Sequence, residues 1–225
     1  NAGWTNISST WTYPYSITDL AVHDNGTRNV DVNGDMLVDI FMSRRGSGVP
    51  EERDETIVDL NVSKQVDVLT LVTLPQGGST TIEYKSSHLY RNGTTNLNTE
   101  LPYPILTVAT TTERDGLGNV AVSTFSYEGG KMYWNTAHDR KFAGFNIVTK
   151  TDPGGNVTKT YFHQASTTES SLGEYDDHVS KIGKPYRIEQ YDNANNLYTT
   201  VINKWDKDTL SNGRFFVKLT EKLTL

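Results

Sequence analysis

Short runs rich in Thr, Val and aromatic residues recur along this chain in pairs, each pair flanking a Gly- or Asn-rich turn. Residues 149–164, Thr-Lys-Thr-Asp-Pro-Gly-Gly-Asn-Val-Thr-Lys-Thr-Tyr-Phe-His-Gln, show the unit. Pro153 pre-sets φ for the second turn position, and Gly154 and Gly155 accept positive φ without a Cβ clash. The stretch therefore predicts a β-hairpin turning at Asp152–Asn156. The same reading applies to Val72–Tyr84, turning at Pro75–Gly78, to Val108–Tyr127, turning at Asp115–Asn119, and to Arg187–Trp205, turning at Asp192–Asn196. Hairpins spaced roughly 40 residues apart predict a repeat architecture whose units bury a face only against their neighbours. Arg214–Leu225 alternates as a further strand, expected to need a partner beyond the end of the chain.

Composition fits exposed sheet. The hydrophobic fraction is 35%, and the polar excess is Thr, Asn, Ser and Gly rather than charge. Recurrent Val, Ile, Leu, Tyr and Trp argue against disorder. The net charge of −6 without a Lys/Arg block argues against a nucleic-acid partner. No run approaches the ~20 apolar residues of a membrane-spanning helix. The absence of cysteine removes disulfides and thiolate metal sites. A start at Asn1 without Met or signal peptide, and an end directly after a strand-like run, suggest a piece of a longer polypeptide.

The sharpest chemical motif is Asp31-Val-Asn33-Gly-Asp35-Met-Leu37-Val-Asp39. Side-chain oxygens at loop positions 1, 3, 5 and 9, with the carbonyl at position 7, suit a hard cation such as calcium. Asp31, Asn33, Asp35 and Asp39 would supply side chains, and Leu37 its carbonyl. The helix–loop–helix form of calcium site does not apply, because position 12 is Met42 rather than Glu and no amphipathic helix flanks the loop. The other reading is an Asx-rich turn that caps its own backbone. With the preceding Arg28-Asn29-Val30, the motif resembles the FG-GAP calcium loop of β-propellers, except that Met36 stands where Gly is usual.

Trp4, Trp11, Tyr13 and Tyr15 suit either the inner faces of strands or a sugar-stacking surface. Residues 44–59 read as a charged loop or linker and the best domain boundary, and 129–145 as a short helix or irregular packed loop. The segment 165–181, with Asp176-Asp177-His178, reads as a solvated loop rather than a metal site. His138-Asp139-Arg140 reads as a surface turn, and His163 as a packed or hydrogen-bonded imidazole. No nucleophile elbow, zinc-protease helix or phosphate-binding loop is present.

The order of segments carries a resemblance. After the calcium-type loop come Leu69–Tyr84, Leu101-Pro-Tyr-Pro104, Asp115-Gly-Leu-Gly-Asn119, Ser126-Tyr-Glu-Gly-Gly130, Arg140-Lys-Phe-Ala-Gly-Phe145, Thr160-Tyr-Phe-His-Gln164, Gly183-Lys-Pro-Tyr186 and Tyr191-Asp192. This resembles the middle region of insecticidal toxin-complex B components and their virulence-plasmid relatives, within the wider RHS/YD-repeat class. The resemblance implies an all-β fold. A propeller-type FG-GAP segment with its linker would occupy 1–58, and antiparallel hairpins of an RHS/YD-like shell wall 59–225. It implies a non-catalytic structural fragment of a large secreted or extracellular toxin-complex protein that encloses or presents a C-terminal polypeptide. The expected partners are the rest of that polypeptide, its cargo and other toxin-complex subunits. The family's self-cleaving aspartates have no counterpart here, so no catalytic residue is expected. The alternative reading is an extracellular calcium-dependent module that binds a cell surface or glycan.

Overall fold

The computed structural model describes residue 24 and residues 26–44, 55–62 and 67–225. The aromatic residues at 4–15 and most of the expected linker lie outside the described residues. The chain divides into two units, residues 1–65 and 66–225.

In the first unit, β1 (Thr27–Val30), β2 (Asp39–Arg44) and β3 (Glu55–Asp59) form an antiparallel sheet in the order β1-β2-β3. The aspartate-rich loop joins β1 to β2, with Val30 opposite Asp39. Residues 55–59, read from the sequence as loop, pair with β2 instead. Thr56, Ile57 and Val58 are β-branched and suit a pleated surface.

The second unit contains β4 (Leu71–Thr73), β5 (Ser79–Ser86), β6 (Arg91–Asn92), β7 (Thr95–Asn96), β8 (Leu106–Arg114), β9 (Val120–Glu128), β10 (Met132–Thr136), β11 (Asp139–Phe142), β12 (Ile147–Thr151), β13 (Val157–Phe162), β14 (Pro185–Tyr191), β15 (Leu197–Thr209) and β16 (Phe215–Thr224). Nine of these form one antiparallel meander in the order β16-β15-β14-β13-β12-β9-β8-β5-β4. The four expected hairpins are its successive pairs. β16 pairs with β15 along its length, so the last strand finds its partner within the chain, and among the described residues no strand pairs with its outer edge. Residues 129–146 are not helical. They hold the separate two-stranded ribbon β10-β11. Among the described residues no sheet closes into a barrel.

A meander brings alternate connections to the same end. One end carries the short turns at 74–78, 115–119, 152–156 and 192–196. The other carries the long connectors 87–105, 129–146 and 163–184. Three of the short turns are built alike. The Oδ1 atoms of Asp115, Asp152 and Asp192 each accept from the backbone N–H groups two and four residues on. Their Oδ2 atoms accept from the side-chain amides of Asn119, Asn156 and Asn196. The amide bond from the asparagine, then those backbone N–H groups, hold all three carboxyls below their ordinary 3.8. A depressed folded pKa contributes stability above the unfolded value that is lost as pH falls through the folded one. Urea unfolding of the dilute chain, followed by Trp205 fluorescence, should therefore show stability falling below about pH 4. The triple variant D115N/D152N/D192N should flatten that fall, and an unchanged slope would contradict these roles.

The buried residues gather at the connector end, where polar and aromatic side chains close over the strand ends. Tyr90, Leu101, Ala143, Phe145, Tyr161 and Tyr186 are buried. Tyr127 stacks against Phe145 at 4.9 Å and meets Tyr90 edge-on at 5.6 Å. A Cβ at Gly130 would come within 2.6 Å of Leu101 Cδ1 and 2.9 Å of the Phe145 ring, so these side chains would have to shift to admit one. Asn98, 0% exposed, pins this end. Its amide donates to the carbonyls of Ser87 and Tyr127, both at 2.9 Å, and its Oδ1 accepts from Gly130 N–H at 2.8 Å. Asn98→Ala strands these buried groups and should cost about 2–4 kcal/mol in the same unfolding assay. A loss under about 0.5 kcal/mol would mean that water replaces the amide.

Candidate functional site

The loop expected to bind calcium is organised by its own backbone. Asp31 Oδ1 accepts from Gly34 and Asp35 N–H at 2.7 and 3.1 Å, and its Oδ2 from Met36 N–H at 2.9 Å. Asp35 Oδ1 accepts from Leu37 N–H at 2.8 Å, and Asn33 Oδ1 from Asp35 N–H at 2.9 Å. The buried Asp39 accepts from Val32 N–H at 2.9 Å and from Asn61 N–H at 2.8 Å, tying the loop to the segment after β3. Met36 takes φ +70°, the left-handed conformation that Gly would adopt freely. The donor set is chemically suited to a hard cation. In this conformation, however, the three aspartates do not each bring an oxygen within 4.8 Å of the others.

A second cluster lies in the connector 163–184. His163 follows β13, and its backbone extends the β13–β14 ladder through Lys184 and Gly183. Its imidazole is 0% exposed, and its Nδ1 lies 2.8 Å from Glu174 Oε1 and 3.2 Å from Asp177 Oδ1, with both carboxylates buried. Each carboxylate is held by main-chain donors. Asp177 accepts from the N–H groups of Ala165 at 2.9 Å, Ser166 at 2.6 Å and Gln164 at 3.4 Å. Glu174 Oε2 accepts from Glu169 N–H at 2.6 Å. Burial alone would lower the pKa of His163, but hydrogen bonds to Asp177 and Glu174 outweigh it and raise it. Burial would likewise raise that of Asp177, but His163 and the N–H groups of Ser166 and Ala165 outweigh it and lower it. The neighbouring Gln164 donates to the carbonyls of Gly129 and Gly144, linking this connector to the previous one.

This corrects the reading of 165–181 as a solvated loop. The connector has backbone N–H groups to satisfy as it folds back, and inward-turned carboxylates supply the acceptors. Asp176 also has fixed partners, Lys181 Nζ at 3.3 Å and Lys207 Nζ at 3.0 Å. The His178 ring meets Phe215 edge-on at 4.7 Å. No local spacing in the sequence joins His163 to Glu174 and Asp177, because the fold-back of the connector brings them together. His163 itself is packed and hydrogen-bonded, as its position at a hairpin end predicts. His138 is an exposed turn residue between β10 and β11, and the adjoining Arg140 lies over the Trp134 ring at 5.1 Å. No helix among the described residues is long and apolar enough to cross a membrane.

Comparison with known proteins follows the same outline. The family model for the insecticide toxin TcdB middle/N-terminal region matches residues 9–172. A chain of the solved structure described as "Crystal Structure of TcdB2-TccC3-Cdc42" superposes with a TM-score of 0.63 at 19% sequence identity. The match covers 88% of this chain and 12% of that one, so this chain spans about an eighth of the length of the protein it matches. At that identity the likeness is one of fold. No curated protein matches the chain.

Proposed function

The chain belongs to the insecticide toxin TcdB middle/N-terminal family, and from that premise we propose that it is a non-catalytic wall segment of a larger secreted toxin-complex polypeptide. The wall would help to enclose or present a C-terminal polypeptide and would adjoin other subunits of the complex. The observation that carries this reading is the nine-stranded meander, whose strands leave many apolar side chains uncovered among the described residues. Leu71, Val120, Val122, Leu197, Phe215, Phe216, Leu219 and Leu223 all lie exposed on its strands. Among the described residues its outermost strands, β4 and β16, each have only one neighbour. Open edges and bare apolar residues invite pairing with further strands. In the parent polypeptide those partners would be the adjoining wall. Sedimentation velocity of the isolated chain at micromolar concentration should therefore show self-association. A compact monomer across that range would count against the proposal.

The aspartate loop would belong to a propeller-type FG-GAP part, with Asp31, Asn33, Asp35, Asp39 and the Leu37 carbonyl as calcium ligands. Binding would have to re-aim carboxylates that now hold N–H groups, with a bulky residue at position 36. Both costs point to weak affinity, in the range of about 10⁻⁴–10⁻³ M typical of extracellular modules. Calorimetric titration should find that range, and Met36→Gly should tighten it. Absence of binding at several times that concentration would leave the loop a self-capped turn.

A further inference from the structure

We propose that His163, Glu174 and Asp177 form a site for a divalent transition-metal ion, zinc being the probe of choice, that clasps the 163–184 connector to the sheet. Three independent features of the cluster point there.

The first is geometry. One ligand atom from each residue lies within 4.8 Å of the other two, and no other group of three such residues among those described does so. A tetrahedral zinc site with bonds of about 2.0–2.1 Å places its ligand atoms about 3.3 Å apart. The observed separations from His163 Nδ1 are 2.8 and 3.2 Å. The ion would replace the shared Nδ1 proton with only a small opening of the group. Imidazole with two carboxylates suits zinc better than calcium or magnesium, which prefer an all-oxygen shell.

The second is charge. The side chains of His163, Glu174 and Asp177 are 0%, 3% and 1% exposed. A neutral imidazole with two carboxylates carries two negative charges, which one dication balances. Protonating His163 leaves one of them without a cationic partner in the cluster. The main-chain donors already hold both carboxylates, and Asp177 Oδ1 accepts from Ala165 N–H. Such outer contacts orient metal ligands.

The third is an unpartnered group facing the cluster. Tyr186 is 1% exposed, and among the described residues neither its hydroxyl nor the buried Nε2 of His163 has a hydrogen-bond partner. The Tyr186 ring lies 5.2 Å from that of His163. A buried hydroxyl without a bond is an orphan that a native fold rarely tolerates. A water in the fourth position of the metal would pair with it.

The test uses the full chain in dilute solution and is independent of the wall reading. After stripping with chelator, addition of excess zinc and gel filtration, elemental analysis should find one zinc per chain. Cobalt substitution should give the visible absorption of a tetrahedral ion. Glu174→Gln keeps the side-chain length and an acceptor for Glu169 N–H but removes a charged ligand. It should weaken zinc binding at least tenfold, while Glu113→Gln, at an exposed position on β8, should leave it unchanged. Failure of the wild-type chain to retain zinc would overturn the proposal, as would octahedral cobalt alone or undiminished binding in the Glu174→Gln variant. If that variant does not fold, the wild-type metal count and cobalt spectrum decide the matter.

Discussion

Asp177→Ala should release the connector 163–184, with its amide hydrogens exchanging about 10²–10³-fold faster than in the wild-type chain. One carboxylate accepts from the N–H groups of Gln164, Ala165 and Ser166 and lies against the His163 ring nitrogen. Its removal leaves three main-chain donors, part-buried at Gln164 and Ala165 and exposed at Ser166, without an acceptor at once. His163 keeps Glu174 at 2.8 Å, and each main-chain bond lost costs about 1–3 kcal/mol until water enters. At 1.4 kcal/mol per tenfold, that loss spans the stated range of exchange rates with allowance for partial rehydration. The effect should stay local, since the short turns at the far end of the sheet share no bond with Asp177. Asp177→Asn should fall between the two, because its amide keeps one acceptor oxygen. Protection unchanged in Asp177→Ala would show that the carboxylate does not hold the connector.

The second large effect is expected at Glu189, a buried carboxylate on β14. Glu189 Oε2 accepts from the hydroxyls of Tyr161 and Tyr191, both at 2.8 Å. Oε1 lies 2.8 Å from Arg187 Nε and 2.7 Å from its terminal nitrogen. Burial alone would raise its pKa, yet the bonds from Tyr191, Tyr161 and Arg187 together lower it. Arg187 also donates to the Leu172 carbonyl at 3.1 Å, so the network reaches into the connector. Glu189→Ala leaves a largely buried guanidinium and two hydroxyls without their acceptor, and should destabilise the second unit by about 3–5 kcal/mol. The urea midpoint of the dilute chain reads this directly. Glu189→Gln, which keeps an acceptor and loses the charge, should cost less. A midpoint unmoved by Glu189→Ala would mean that the network contributes no net stability, as some buried ion pairs do not.

The hairpins were legible because their signals are local. Proline and glycine at 153–155, and asparagine runs such as 193–196, specify where the chain reverses, and runs of Thr, Val and Tyr on either side then have only one way to pair. The Asp–Asn spacing at 115/119, 152/156 and 192/196 stood in plain view, although its hydrogen bonds did not follow from it. The connectors were harder. Residues 132–142 form a ribbon turning at Ala137 and His138, neither of which is the Gly or Asn that marks such turns elsewhere. The polar composition of 165–181 suggested solvent, whereas folding back over the strand ends turned Glu174 and Asp177 inward to meet main-chain donors. Burial of a polar residue is settled by which backbone groups it must satisfy, and those lie far apart in sequence. In the first unit Asp31, Asn33, Asp35 and Asp39 were read from their spacing as candidate calcium ligands, and Met36, where Gly is usual, takes a positive φ.

The most direct test of the central claim is the intact mass, under denaturing conditions, of the native polypeptide that carries this stretch. The wall reading predicts a single chain several times heavier than the 25.1 kDa of these residues. A native polypeptide of about that mass would contradict it, because the nine-stranded sheet would then have no adjoining wall to cover its exposed apolar residues and pair its open edges.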